Sequence, residues 1–315
     1  MNIKKILLLS IMILFCNIQI LCAFEVKHRI GFETAYLWGE NTYDINFSEG
    51  RSKLEWPIEL YLFGVNYTVN IGKNLEIEAS CLAGPERSSS EPMKDSDWLD
   101  EEYYRGHDSH SGLDIYSHSD VDNKGRILDI KSRIFLLSTR RFSLGLTGGY
   151  QYQQFDYRGY DTTQTGYGPW SDRSTFISGP VITYEVEYSS WSVGTACRAA
   201  LSDRISMQAE ISYLTHVHSQ DKDDHLKRNK NSIGHCSGQG LMLNLLNRFQ
   251  LTPKWDIQLL AESIDINTKG DQRQYWYGDD PASPAFDDIG NAVSNIPLEI
   301  DQQAYRLGIG LNFSF

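Results

Sequence analysis

The last eleven residues alternate without a break, with Tyr305, Leu307, Ile309, Leu311, Phe313 and Phe315 on one parity and Arg306, Gly308, Gly310, Asn312 and Ser314 on the other. A period of two is that of a β-strand with one apolar, aromatic face and one small, polar face. A strand at the solvated surface of a soluble sandwich has the same period, so the rest of the chain must choose between the two. Val26 to Trp38 carries Ile30, Phe32, Tyr36 and Trp38 on one parity, and Leu54 to Ile71 returns to the tight turn Gly72-Lys73-Asn74. Leu75 to Ala83 rises, Ile127 to Leu137 descends, and Ser138-Thr139-Arg140-Arg141 leads into Phe142 to Tyr157. A long strand from about Phe176 to Leu201 changes its apolar parity between Val186/Tyr188 and Trp191/Val193, which predicts a β-bulge there. Ser202-Asp203-Arg204 turns into Ile205 to Val217, Leu241 to Leu251 returns, and Thr252-Pro253-Lys254 turns into Trp255 to Ile264 before the final strand.

The total is ten strands, with four short turns and five long connections at about 39–53, 84–126, 158–175, 218–240 and 267–300. Short turns that alternate with long loops, an even strand count and both termini on one side make the outer-membrane pattern. The fold expected is an all-β, ten-stranded antiparallel transmembrane β-barrel with long extracellular loops. Loops of that length are uncommon unless they carry function.

Composition agrees: 18 Tyr, 13 Phe and 7 Trp can supply aromatic girdles, and the negative mean hydropathy fits polar lumen faces. A basic start, Lys4-Lys5, followed by the apolar run Ile6 to Phe15, has the layout of a secretory leader. Residues 1–23 are expected as signal peptide, with Leu21 and Ala23 an imperfect match to the cleavage rule, and 24–315 as one barrel domain. Elsewhere no stretch approaches the roughly 18 consecutive apolar residues a membrane helix requires. The net charge of −12 becomes −14 once Lys4 and Lys5 leave, which argues against nucleic acid and for cationic partners. The three remaining cysteines, Cys81, Cys197 and Cys236, imply no disulfide framework.

The chemistry is then sought in the loops. The second contains Lys94-Asp95-Ser96-Asp97-Trp98-Leu99-Asp100 and the fourth Asp221-Lys222-Asp223-Asp224-His225. In extended chain, residues i and i+2 project to one side, so Asp95 stands beside Asp97 and Asp223 beside His225. Two adjacent carboxylates facing a His with its own carboxylate orienter can hold and activate a water. Acidic surface loops are common, and spacing alone leaves a solvated-charge reading open.

The paired motifs, Asp-x-Asp-Trp-x-Asp at Asp95, Asp97, Trp98 and Asp100, and Asp-x-Asp-x-His at Asp221, Asp223 and His225, resemble those of the omptin family of outer-membrane proteases. The resemblance extends through Leu144-Gly145-Leu146-Thr147-Gly148-Gly149-Tyr150-Gln151 to the aromatic C-terminus. It implies an aspartate/histidine endopeptidase, with His225 as base, Asp223 as its orienter, and the Asp95/Asp97 couple binding the nucleophilic water, without metal or covalent intermediate. It also implies cleavage next to Arg or Lys in basic peptides and exposed protein loops, with Glu40 and Asp221 as the acids of the specificity pocket. Independently of the family, a guanidinium leaving water must meet opposite charge, and each contact at ~4 Å is worth about 4 kcal/mol at an effective dielectric of about 20, before desolvation. Two carboxylates also match the fork of Arg.

Some features depart from this pattern. Ile205 to Val217 puts its apolar residues on odd positions facing lipid, yet Asp221, Asp223 and His225 are odd too, which requires a register change between about Thr215 and Asp221. His216 and His218 are expected to face the lumen. His118 in the second loop is followed by Ser119, where the family has Pro. The histidines lack partners at zinc-site spacing, so no metal is expected. The family's lipopolysaccharide pattern of Tyr, Glu and Arg on the fifth strand reads Tyr150, Tyr152, Gln154 here, which puts a lipopolysaccharide requirement in doubt. Outer-membrane lipid and lipopolysaccharide remain the expected surroundings of a monomer. The rival reading is a non-catalytic barrel, an adhesin or a small cation-preferring channel, although a ten-stranded lumen is narrow enough for side chains to fill.

Overall fold

The computed structural model describes residues 25–100, 112–281 and 288–315; the expected leader, His107 and His110 lie outside them. The strands are β1 (Val26–Phe47), β2 (Gly50–Ile71), β3 (Leu75–Ser88), β4 (Met93–Leu99), β5 (Ile115–Ser138), β6 (Phe142–Gly166), β7 (Thr175–Ala200), β8 (Ile205–His225), β9 (Lys230–Gln250), β10 (Trp255–Trp276) and β11 (Ala292–Ser314). They pair antiparallel, and β1 joins both β2 and β11, which closes the sheet into a ring. Closure leaves no strand edge unpaired in lipid.

The eleven described strands occupy ten places, because β3 and β4 both lie between β2 and β5. From Phe63 to Gly50, β2 advances thirteen residues while its partner advances sixteen, from Ala83 to Leu99. The surplus is taken up where the strand breaks at residues 89–92.

Outward positions of the lower barrel are apolar and exposed, among them Phe32, Phe63, Val65, Ile130, Leu146, Val193, Ile211, Leu243 and Ile309. Aromatic clusters rim this band. Tyr36 lies 5.5 Å from Trp38 and 5.1 Å from Tyr61 at the upper edge, and His28 stacks 5.4 Å from Phe315 at the lower. At this depth the inward side chains are charged and paired: Arg133 bonds Glu76 at 3.0 Å and Glu78 at 2.6 Å, and also Glu210, while Arg306 meets Glu262 at 3.0 Å. Side chains thus fill the lumen, as its narrow circumference predicts.

A tilted strand crosses a membrane in about 9–11 residues, whereas β5 to β11 run 21 to 26. The barrel therefore projects far above the apolar band, and most of the segments expected as long loops are paired strand. In the projecting half the polarity inverts. Arg51, Lys53 and Glu55 point out, while Leu54, Trp56 and Ile58 are buried inside with Tyr43, Tyr157, Tyr184 and Tyr188. Trp56 stacks on Tyr184 at 5.2 Å, and Asn41 bridges the hydroxyls of Tyr157 and Tyr188 at 2.7 and 3.1 Å.

This inversion corrects one expectation. Val186 and Tyr188 are buried within the upper core, and the inward parity of β7 runs unbroken from Ile182 to Ala196, so the apolar change along β7 marks the edge of the membrane and not a bulge. The extra residue is in β8, where Leu214 to Val217 advances three while Gly240 to Gly238 on β9 advances two, and His216 adopts φ 51°. This is the register change expected above Thr215. Below it Ile211 and Tyr213 face lipid; above it Val217, Ser219, Asp221 and Asp223 face inward. The same shift turns His216 and His218 outward, against the lumen position expected for them.

Candidate active site

Asp95 and Asp97 come from β4, and Asp223 and His225 from β8; with β5, β6 and β7 between them, these strands form opposite walls of the projecting barrel. The break below Met93 lets β4 replace β3 between β2 and β5, where Asp97 pairs with Ser52 and Asp95 with Ser117. The Ser52 hydroxyl donates to Asp95 Oδ1 at 3.3 Å. Buried Asp114 fixes the upper end of β4: its carboxylate accepts the Leu99 amide at 2.7 Å, and its own amide donates to the Asp97 carbonyl at 2.9 Å.

On the opposite wall His225 Nε2 lies 2.9 Å from Asp223 Oδ2, with the His side chain 20% exposed and the Asp 2%. If Nε2 carries the proton and donates to this carboxylate, Nδ1 is left as a free acceptor. Desolvation pulls the imidazole below its ordinary value, opposed by Asp223, which favours the neutral base. Across the cleft, desolvation and then Asp97 push the Asp95 carboxyl well above the usual carboxylate range, with a further contribution from Asp223. The two couples are therefore close enough to interact electrostatically. Two carboxyls that cannot both ionise share a proton, and such a couple can both donate to and accept from a water.

Asp221, two residues below Asp223 on the same inward face, is buried, and no side chain bonds either of its oxygens among the described residues. Desolvation, then Asp223, raise its carboxyl well above the ordinary range. It lies against Gly234 of β9, where a Cβ would come 2.2 Å from Oδ1, so only glycine leaves room for it. The rings of Tyr43 and Tyr184, 5.6 Å apart, stand near enough for Asp221 to perturb both phenols.

Glu40 is not brought to this cleft. On β1 the odd residues Leu37, Asn41, Tyr43 and Ile45 are buried inward, and Glu40 is on the opposite parity, accepting from Thr42 at 3.3 Å among the outward Lys53, Glu55 and Lys94. The expected pairing of Glu40 with Asp221 is corrected accordingly: Tyr43, three residues on, is the inward neighbour of Asp221. His118 is also outward, while Ser119 points in and bonds Thr162 at 2.6 Å. Sequence reasoning missed Ser52, Asp114, Tyr43 and Lys230. For Lys230 the signal was its shared parity with Ser232, Gly234 and Cys236, all buried.

On the outer wall Tyr150 packs 5.1 Å from Trp191, Arg126 sits 5.7 Å over Tyr152, and Gln154 donates to Glu185 at 2.7 Å. The Gln154 amide, which also donates to Asp156 at 3.4 Å, thus sits between two carboxylates and directly opposite Arg126 in the β5–β6 ladder.

The chain has the fold of the crystal structure of outer membrane protease OmpT from Escherichia coli, with a TM-score of 0.76 at 16% identity over 92% of this chain and 97% of that one. A second barrel, the outer membrane protein OprG from Pseudomonas aeruginosa, aligns at 10% identity over 93% of this chain and 97% of that one, but its TM-score of 0.35 is too low to carry an argument. No curated protein matches the sequence. The model described as the Omptin family matches residues 38–315, and the chain belongs to that family.

Proposed function

We propose that this outer-membrane protease is an endopeptidase that cuts peptides and exposed protein loops next to Arg or Lys, at the extracellular mouth of the barrel, with water as nucleophile. What supports the proposal is the placement of the Asp95/Asp97 couple on β4 and the Asp223/His225 couple on β8, opposite walls of the projecting barrel, with His225 2.9 Å from Asp223. His225 Nδ1 takes a proton from a water held by the Asp95/Asp97 couple as the water oxygen bonds to the carbonyl carbon. Asp223 holds the ring and stabilises the imidazolium. The C–N bond then breaks, and the imidazolium proton passes to the leaving amine.

The direct test maps cleavage of a peptide library by intact expressing cells. Cuts confined to Arg and Lys junctions are expected, absent with Asp95→Ala; the same cuts from that variant at equal surface display would discard the proposal.

Support for basic specificity comes from Asp221, a buried carboxylate with no side-chain partner among the described residues and with two tyrosine rings beside it. A substrate cation meets one carboxylate there and aromatic faces in place of a second, and cation–π attraction adds about 0.5–2 kcal/mol. Asp221→Asn is expected to lower kcat/KM for Arg and Lys substrates by about 30-fold or more, from the 2–5 kcal/mol typical of losing one partner of a buried charge pair. Neutral substrates measured in parallel should change little. Equal losses for both classes would remove Asp221 from the specificity pocket. With Gln154 bonded to Glu185 on the outer wall, no lipopolysaccharide requirement enters the proposal.

A further inference from the structure

Lys230 opens β9 directly opposite His225 in the β8–β9 ladder. Its side chain is buried on the inward parity. The hairpin that delivers it is anchored from outside the cleft: Arg228 Nε bonds Asp280 at 2.9 Å, and Asn229, at φ 51°, donates to the Asp279 carbonyl at 2.8 Å and accepts the Tyr277 amide at 2.9 Å. Two cations thus flank the cleft, and they differ. Arg228 is neutralised by Asp280, whereas Lys230 makes no ion pair among the described residues.

The charged groups around Lys230 are Asp97 from β4, Asp223 from β8, Arg228 from the hairpin and Asp280 from the segment after β10; Asp95 and His225 sense its charge in turn. A buried ammonium without a fixed counter-ion is costly in the resting protein. The cost is offset in a step that places negative charge beside it. Peptide hydrolysis has such a step: as the water oxygen bonds to the carbonyl carbon and its proton passes to His225, the carbonyl π pair moves onto oxygen.

We infer that Lys230 is a further catalytic residue, whose ammonium, held in the cleft opposite His225, meets the oxyanion formed on the scissile carbonyl. This rests on the peptidase function proposed above. The residue adds an electrophile to a cleft whose other reacting groups are acids and a neutral base. Desolvation, then Arg228, lower the Lys230 ammonium to about 8, so its charge, and the activity that depends on it, is lost as pH rises through that range.

The test is kcat and KM on a quenched Arg-Arg peptide for Lys230→Met and Lys230→Arg, with Lys230→Gln replacing the Met variant if it fails to give a heat-modifiable, folded band on a gel. Lys230→Met is expected to lose about 10²–10³-fold in kcat, the usual cost of removing one oxyanion partner, with KM little changed. Lys230→Arg should keep most of kcat and move the alkaline limb from about 8 to above about 10, since a guanidinium stays charged. A folded Met or Gln variant with wild-type kcat, or an alkaline limb unmoved in the Arg variant, would overturn the assignment while leaving the peptidase function intact. A wild-type protein that cuts no peptide would remove both.

Discussion

His225→Ala is expected to lower kcat on a quenched dibasic peptide by about 10²–10⁴-fold, the range a positioned general base supplies, with the barrel still folded. The barrel should survive because the ring lies at the end of β8 and bonds only Asp223 among the described residues. Asp223→Asn should be nearly as damaging. The Asp223 carboxylate accepts from Nε2–H and so keeps Nδ1 unprotonated, whereas an amide can donate to Nε2 and trap the other tautomer. The pH profile adds a second check. Desolvation depresses the imidazole below 6.5, so the base form persists on lowering pH, and activity falls only when pH drops through that depressed value. The acid limb of kcat/KM should therefore lie below the ordinary histidine range. A His225→Ala variant within tenfold of wild type, or an acid limb above pH 6.5, would contradict the role given to this residue.

The fold was legible because lipid imposes one rule, apolar out and polar in, on every strand at membrane depth, and the final strand from Tyr305 to Phe315 obeys it throughout. The same rule misleads above the membrane, where water lies outside and the core inside. Tyr43, Val121 and Leu298 are inward there, in strand that read as loop, and at Val186 and Tyr188 the inversion of polarity read as a bulge. The β8 register change was legible because two constraints conflicted, lipid-facing Ile211 and Tyr213 against Asp221 and Asp223 at the same parity. Glu40 shows the limit of spacing. Glu40 shares the even parity of Ile30, Phe32, Tyr36 and Trp38, and β1 carries no register shift that would turn it inward, so the alternation along the strand and not the position in a motif decided its side. Lys230 was hidden because a Lys-Arg-Asn-Lys run has the composition of a solvated turn; the parity it shares with Ser232, Gly234 and Cys236, together with its pairing with His225, puts its last member inside.

The lower lumen makes the largest stability prediction. Arg133 lies among Glu76 and Glu78, at 3.0 and 2.6 Å, and Glu210, while Arg198 reaches Glu76 from a second strand at 2.7 Å and Arg248 from a third at 3.7 Å. The Glu76, Glu210 and Arg133 side chains are each 5% exposed or less. Such a network need not outperform an apolar filling of the same volume, but removing one member strands its partners. Arg133→Ala should therefore destabilise the barrel by about 3–5 kcal/mol, the cost of breaking a buried pair by deleting one side. Adding Glu210→Gln should recover part of that loss, because one stranded carboxylate is neutralised; contacting residues couple by about 0.5–3 kcal/mol in double-mutant cycles. Equilibrium urea unfolding of the detergent-folded barrel measures both. A loss under about 1 kcal/mol, the range of an exposed pair, or strict additivity in the double variant, would mean that water reaches these groups. The lumen would then be wetter than its packing implies, and the channel reading that the filled bore opposes would regain its ground.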